Sequence, residues 1–120
     1  MRPLFHPAAD DVTVEGILHA LSDPVRVRIF AGIAKANCAQ TCSSFLEVCD
    51  TPVPKSTLSL HFKVLRESGL IRSERKGVEL RNTPRQDLQE RYCKLVTVII
   101  EAHMAQTARR HTPKRSRAKR

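Results

Sequence analysis

The apolar positions along the chain follow two spacings, which predict five helices and one β-hairpin. Recurrence every three or four residues is typical of an amphipathic helix, whereas strict alternation is typical of a strand. Helices are predicted at residues 12–21, 24–36, 42–49 and 55–68, with a last helix from residue 83. Two alternating segments, 70–75 and 78–82, flank the turn signal Lys76-Gly77. The pattern therefore predicts a mainly α fold with a small β-hairpin (α+β).

Residues that favour helix ends support these boundaries. Asp23 can cap the second helix, and Pro24 suits its first turn because no backbone N–H is needed there. Gly69 suits the left-handed position that follows the fourth helix. Thr83 and Gln86 have the spacing of a capping box, which predicts that the last helix starts here.

The fourth predicted helix has two distinct faces. At about 100° per residue, Leu58, Phe62 and Leu65 form an apolar stripe with His61 at its edge. The opposite face carries hydroxyls, one cation and one aliphatic side chain, namely Ser56, Ser59, Leu60 and Lys63. Hydroxyls can bond to bases or phosphates, a lysine can neutralise a phosphate, and a leucine can contact a thymine methyl group. Polar faces are also usual on surface helices, so this face alone does not establish a nucleic-acid site.

The order of the elements strengthens the DNA-binding interpretation. A helix, a short turn, a second helix and then a hairpin form the layout of a winged helix-turn-helix, whose second helix enters the major groove. The predicted hairpin is basic, as a wing that contacts phosphates should be, and its cations are Arg72, Arg75, Lys76 and Arg81. DNA binding is therefore the leading hypothesis.

Two motifs resemble those of a known family. LSDPVRVRIF (21–30) and KSTLSLHFKVLRESGLI (55–71) resemble segments of the ArsR-type, or arsenic-repressor-like, winged helix-turn-helix regulators. The residues that match the second motif one by one are Ser56, Thr57, Ser59, His61 and Leu65. The resemblance covers about residues 12–106, and Leu60 departs from it because the family more often has a polar residue there. It implies a homodimeric repressor of inverted-repeat operators in double-stranded DNA, with Thr57 and His61 added to the DNA-binding set.

The last predicted helix carries more apolar positions than one core face needs. They are Tyr92, Leu95, Val96, Val98, Ile99, Ile100 and Met104. A surplus apolar face on a terminal helix suggests packing against a second chain. The resembled family pairs through its first and last helices, which implies a dimer interface of Ile17, Leu95, Val96 and Ile99. The predicted architecture is thus a dimeric winged helix-turn-helix with five helices and a two-stranded wing.

Charge and composition divide the chain into three regions. The formal net charge is +9, and residues 109–120 hold seven Lys and Arg residues and no acid. With almost no apolar content, this segment is expected to be a disordered basic tail that either neutralises phosphates or only adds solubility. Residues 1–11 are predicted to form an irregular N-terminal arm. The DNA-binding and dimerisation domain then spans residues 12–108.

Four cysteines raise a second hypothesis, the sensing of a thiol-reactive signal. They are Cys38, Cys42, Cys49 and Cys93, and without a secretion signal they are expected to be thiols. Cys38 and Cys42 are the best candidate pair for a soft metal, a metalloid or an oxidant, with a third thiolate from Cys49 or Cys93. The alternative is that these cysteines are buried as small hydrophobes and bind no cofactor.

Other classes of function have less support in the sequence. The chain has no Gly-rich phosphate loop or dinucleotide fingerprint, and its small core leaves little room for a substrate pocket, so it is not expected to be an enzyme. No apolar run approaches the roughly 20 residues of a membrane span, which predicts a soluble intracellular protein with no membrane partner. The resembled family is bacterial, which implies a location in the cytoplasm at the bacterial nucleoid. Two alternatives stay open: a winged-helix regulator whose cysteines sense nothing, and a winged helix that binds proteins.

Overall fold

The fold consists of helices that pack around one core and a β-hairpin that projects beside them. The computed structural model describes residues 4–35, 40–41, 47–48 and 51–110. Within these residues the helices are a short 3-10 helix (Ala9–Asp11), α1 (Val14–Ala20), α2 (Pro24–Lys35), α3 (Lys55–Glu67) and α4 (Gln86–Arg110). The strands are β1 (Gln40–Thr41), β2 (Glu47–Val48), β3 (Thr51–Pro52), β4 (Ile71–Lys76) and β5 (Glu79–Pro84).

The winged helix-turn-helix architecture is confirmed. The wing is the antiparallel hairpin β4–β5, in which Ile71 pairs with Pro84 and Lys76 pairs with Glu79. Strand β1 extends this sheet on its other side, giving the order β1-β5-β4. Strands β2 and β3 form a separate two-stranded sheet. Helix α3, the second helix of the motif, is the predicted recognition helix.

Three predicted boundaries differ from the structure in ways that change the interpretation, whereas the other described boundaries shift by only one or two residues. The helix predicted over residues 42–49 does not include Glu47–Val48, which pair with β3 as a strand, and residues 42–46 lie outside the described residues. The wing turn is Gly77–Val78 rather than Lys76-Gly77, because the positive φ of 63° that such a turn needs falls on Gly77. The last helix starts at Gln86, because residues 83–84 are paired in β5.

The core lies where α1, α2 and α3 meet the base of the wing and the first turns of α4. Its most deeply buried large side chains include Ile17, Ile29, Ile33, Leu58 and Phe62. Tyr92, Leu95, Val96, Ile99 and Ile100 of α4 are partly buried and pack against this core. Helix α4 then continues ten residues beyond Ile100, which is about 15 Å of helix. Residues 86–100 of α4 therefore pack on the domain, and the last ten residues of the helix extend beyond this core contact.

The end of α3 is fixed by a glycine in the predicted left-handed conformation. Gly69 has φ +93°, and its N–H donates to the carbonyl of Arg66 at 3.1 Å. The N–H of Leu70 donates to the carbonyl of Leu65 at 3.1 Å, which completes a Schellman motif. The chain leaves the helix directly into β4. This short link sets the position of the wing relative to α3.

The described part of the N-terminal arm, residues 4–11, packs across the base of the wing. The imidazole Nε2 of His6 accepts a hydrogen bond from the backbone N–H of Ser73 at 3.0 Å. The carbonyl of Pro7 accepts one from the buried guanidinium of Arg85 at 2.6 Å. That guanidinium is also paired with Asp87 at 2.7 Å, and this contact lowers the pKa of the Asp87 carboxyl. The arm therefore links β4 to the start of α4.

Replacement of Gly69 by alanine should strongly destabilise the domain. The new Cβ would overlap the side chain of Val12 and press on Leu88 at 3.2 Å, in a backbone conformation that L residues rarely adopt. Left-handed strain and overpacking together predict a loss of about 2–5 kcal/mol in the free energy of unfolding. Gly77→Ala is the matched control, because its Cβ meets nothing within 4 Å and only the φ cost of about 1–2 kcal/mol applies. Urea denaturation measures both, and equal losses would contradict the packing argument.

The stability of the fold should depend on the protonation of His6. Burial lowers the pKa of His6, and the charges of Arg72, Arg66 and Arg85 lower it further, against the backbone of Leu4, which raises it. Just below pH ~6.5 the unfolded chain therefore binds more protons at His6 than the folded chain does. The stability that neutral His6 contributes to the fold is complete above that pH and is lost as the pH falls.

Thermal unfolding between about pH 7.5 and about pH 5 tests this dependence. In His6→Gln, an amide that does not titrate can still accept from Ser73, so the acid-side fall in Tm should be smaller than in the wild type. His103 is another described histidine whose pKa is lowered, by burial and by the charges of Arg28 and Arg110. The variant His103→Gln is therefore the control that separates its part of the acid-side fall in Tm from that of His6. Identical pH profiles for wild type and His6→Gln would refute a role for this contact.

Candidate nucleic-acid interface

Helix α3 presents the predicted polar face to solvent and buries the predicted apolar stripe. Leu58, Phe62 and Leu65 are at most 2% exposed. The side chains of the opposite face are all exposed: Ser56, Thr57, Ser59, Leu60 and Lys63. Leu60 is 61% exposed although it is a large apolar residue. An uncovered leucine among hydroxyls and a lysine suits a surface that contacts DNA.

The wing carries the predicted cations on its outer surface. Arg72, Arg75 and Lys76 of β4 are exposed. Arg81 of β5 is also exposed, but its guanidinium lies 3.8 Å from the carboxylate of Glu79, which partly offsets its charge. Such exposed pairs are worth little and are easily exchanged for contacts with phosphates. The four cations thus remain candidates for contacts with the DNA backbone.

A buried polar network that the residue pattern did not predict joins the wing to α3. Asn82 is completely buried, and its Oδ1 accepts a hydrogen bond of 2.6 Å from the hydroxyl of Ser73. The guanidinium of Arg66, near the end of α3, donates to the same hydroxyl at 3.3 Å. The alternation of residues along β4 could have indicated the buried position of Ser73, because Ser73 shares the inward face of the strand with Ile71. This network connects α3 directly to both strands of the wing.

The start of α2 is organised by Asp23 and Arg26. The carboxylate of Asp23 accepts from the backbone N–H groups of Val25 at 2.8 Å and Arg26 at 3.3 Å, so the predicted cap is confirmed. Arg26, in contrast, lies at a position where the helical pattern of α2 would leave an arginine in solvent, but its side chain is only 13% exposed. Its Nε donates to the carbonyl of Ala20 at 2.7 Å. Its Nη1 lies 3.3 Å from the Nδ1 of His61, the half-buried histidine of α3.

The predicted thiol site lies mostly outside the described residues. This applies to Cys38, Cys42 and Cys49, whereas Cys93 is an exposed free thiol on α4. The sulfur of Cys93 is 3.8 Å from the hydroxyl of Thr97, one turn further along the helix. Among the described residues, no three His, Cys, Asp or Glu side chains are grouped as metal ligands would be.

The predicted dimer residues divide into two groups. Ile17 is 1% exposed and lies in the core of a single chain, so its assignment to a dimer interface is corrected. Leu95, Val96 and Ile99 are partly buried against the core and keep some surface. Two large apolar side chains nearby in sequence are exposed, Leu18 on α1 at 46% and Val98 on α4 at 62%. On α1 it is Leu18, together with Val14 at 40%, and not Ile17 that leaves a large apolar side chain exposed.

None of the helices in the described ranges combines the length and the apolar character that a membrane crossing requires.

Comparisons with known proteins agree with this architecture. A family model described as a helix-turn-helix domain matches residues 21–74, the segment that contains α2, α3 and most of β4. The solved structure of an ArsR-like transcriptional regulator from Rhodococcus sp. RHA1 is similar, with a TM-score of 0.51 and 25% sequence identity. The similarity covers 80% of this chain and 83% of that chain. Comparison with curated protein sequences finds no significant match.

Proposed function

Because the chain is a DNA-binding transcriptional regulator of the ArsR type, with a winged helix-turn-helix fold, we propose that it is a homodimeric repressor that leaves its operator in response to a thiol-reactive signal. The observation that carries the DNA-binding part is the orientation of α3. Burial of Leu58, Phe62 and Leu65 places the Ser56–Lys63 face outward, next in sequence to a wing with exposed cations. Such a surface suits a protein that acts in the cytoplasm, where the chromosome is accessible.

The division of labour on the DNA follows from the chemistry of each side chain. In the proposed complex, Ser59 and Leu60 contact base edges in the major groove, where hydroxyls bond to bases and an aliphatic group contacts a thymine methyl. Lys63 and the wing cations contact phosphates there, which supplies affinity for any sequence. Ser56 and Thr57 lie in the first turn of α3, where backbone N–H groups also favour a phosphate.

A homodimer is supported by apolar surface that one chain leaves uncovered. Val98 and Leu18 are large, apolar and exposed, and α4 extends well past the residues that pack on its own core. Pairing of two such chains would cover this surface. Two copies of α3 would then address half-sites about 10 base pairs apart, centre to centre, in an inverted repeat.

The signal is proposed from the cysteine spacing. Cys38 and Cys42 belong to the segment of the sequence that connects α2 to α3. Strands β2 and β3 follow these cysteines in the same segment and come just before α3. Binding of a soft metal or metalloid, or oxidation, would alter this connection and so bias the position of α3. A difference in affinity of a few kcal/mol between the two states is enough to release DNA.

Binding to duplexes selected from a random pool tests the DNA contacts. Lys63→Ala should weaken binding to all duplexes by a similar factor, whereas Ser59→Ala and Leu60→Ala should change the ranking of sequences. Lys94→Ala, which removes the same charge from the exposed surface of α4, is the matched control and should have a smaller effect. If six or more phosphates are contacted, wild-type affinity should fall about 10³-fold between about 50 and about 200 mM salt.

Sedimentation of the complex should give two chains per duplex. A monomeric protein, or one that ignores every duplex at low salt, would overturn the proposal. Unchanged sequence preference in both the Ser59 and the Leu60 variant would leave DNA binding intact and reject α3 as the recognition helix.

Operator release tests the sensing function. Arsenite, antimonite, cadmium and peroxide are titrated into complexes of the wild type, the Cys38→Ser/Cys42→Ser double variant and the Cys93→Ser control. The double variant should keep its DNA at concentrations that release the wild type, because thiolates are the reactive groups. Release of all three proteins at the same concentrations would remove Cys38 and Cys42 from the mechanism. A loss of response only in Cys93→Ser would assign the signal to α4.

A further inference from the structure

The side chain of Arg26 lies at the junction of three helices. Its Nε donates to the carbonyl of Ala20 at 2.7 Å and its Nη2 to that of His19 at 3.4 Å, so it satisfies the end of α1. Its Nη1 lies 4.0 Å from the carboxylate of Asp23 at the start of α2. The same Nη1 lies 3.3 Å from the Nδ1 of His61 on α3. These contacts hold the guanidinium in one place relative to the recognition helix.

The contact with Arg26 decides which ring nitrogen of His61 can donate. A guanidinium has five N–H donors and no acceptor, so in this hydrogen bond the Nδ1 of His61 must be the acceptor. A neutral imidazole carries its single proton on the other nitrogen, Nε2. Among the described residues, the ring of His61 makes no other hydrogen bond than the one with Arg26. The Nε2–H is therefore a donor with no partner in that part of the chain.

The location of His61 suits such a donor to contact DNA. His61 is half-buried at the border between the buried stripe and the exposed face of α3. It follows Leu60, which is 61% exposed, and precedes Phe62, which is 1% exposed. The Nδ1 edge of the His61 ring thus contacts Arg26 of α2, while α3 presents its polar face to solvent.

We propose that Arg26 is a positioning residue for DNA recognition, which orients His61 so that its Nε2–H donates to a hydrogen-bond acceptor on the duplex. This inference rests on the proposed function and adds a residue from outside the recognition helix to it. The acceptor is either a purine N7 at a base edge or a phosphate oxygen, both of which accept from an N–H. Arg26 itself does not touch the DNA.

A double-mutant cycle on affinity for the selected duplex tests this proposal. His61→Ala and Arg26→Met should each lower the affinity, His61→Ala by about 3- to 10-fold, as expected for the loss of one hydrogen bond. Once His61 is absent, Arg26→Met should have little further effect on affinity, because its action passes through the histidine. Arg28→Met removes the same charge from the same helix and is the control for general electrostatic attraction. Binding is measured at a temperature where circular dichroism shows every variant folded.

A second readout follows the histidine ring directly. The ¹⁵N resonances of His61 in the wild type should show a protonated Nε2 and a hydrogen-bonded Nδ1, and Arg26→Met should move the Nδ1 resonance. A purely structural role for Arg26 in joining α1 to α2 would leave the ring signals of His61 in place.

Modified duplexes identify the acceptor. 7-Deazapurines remove the base N7, and methylphosphonates remove one charged phosphate oxygen. The wild type should lose affinity at one such position, and His61→Ala should be insensitive to that same change. A coupled 7-deazapurine assigns the contact to the base edge, and a coupled methylphosphonate assigns it to the backbone.

The outcomes separate this inference from the proposed function. If the wild type binds no duplex, DNA binding itself fails and the inference fails with it. If the wild type binds but His61→Ala binds equally well, or if Arg26→Met has the same effect with and without His61, only the role of the Arg26–His61 pair is overturned.

Discussion

Burial of the apolar stripe of α3 is the constraint on which the candidate interface depends. Leu58, Phe62 and Leu65 are all within 2% of complete burial, and loss of one such side chain typically costs about 2–5 kcal/mol. Because successive helical residues are about 100° apart, this burial turns Ser59, Leu60 and Lys63 to the outside. The rotation of the recognition helix is thus set by the core and not by the polar residues that it presents.

Polar contacts in the middle and near the end of α3 then fix its position relative to its neighbours. In the middle of the helix, His61 contacts Arg26, which also bonds to the end of α1. Near its last turn, Arg66 contacts Ser73, and Ser73 is bonded to the buried Asn82 of the opposite wing strand. Buried polar networks of this kind are costly when incomplete, so they favour one arrangement of the elements. The recognition helix and the wing are therefore held as a unit.

The N-terminal arm and α4 extend this arrangement to the rest of the chain. The arm bonds to β4 through His6 and to Arg85 through Pro7, and Tyr92 of α4 donates to the carbonyl of Val12 at 3.0 Å. A second chain docked on the exposed surface of α4 would therefore be connected to the wing through a short series of direct contacts. In the proposed dimer, such contacts would link the interface on α4 to the elements proposed to contact DNA.

The sequence by itself determined the faces of α3, the cap at Asp23, the stop at Gly69 and the basic wing, since these depend on local spacing and on intrinsic backbone preferences. Only the tertiary structure decided where long polar side chains go and which apolar residues stay exposed. Arg26 has the pattern of a surface arginine, yet the carbonyls at the end of α1 and the ring of His61 surround it. Ile17 and Leu18 are adjacent and equally apolar, but the packing of α1 buries the first and exposes the second. These outcomes depend on which elements meet in space, and spacing along one segment carries no information about its neighbours.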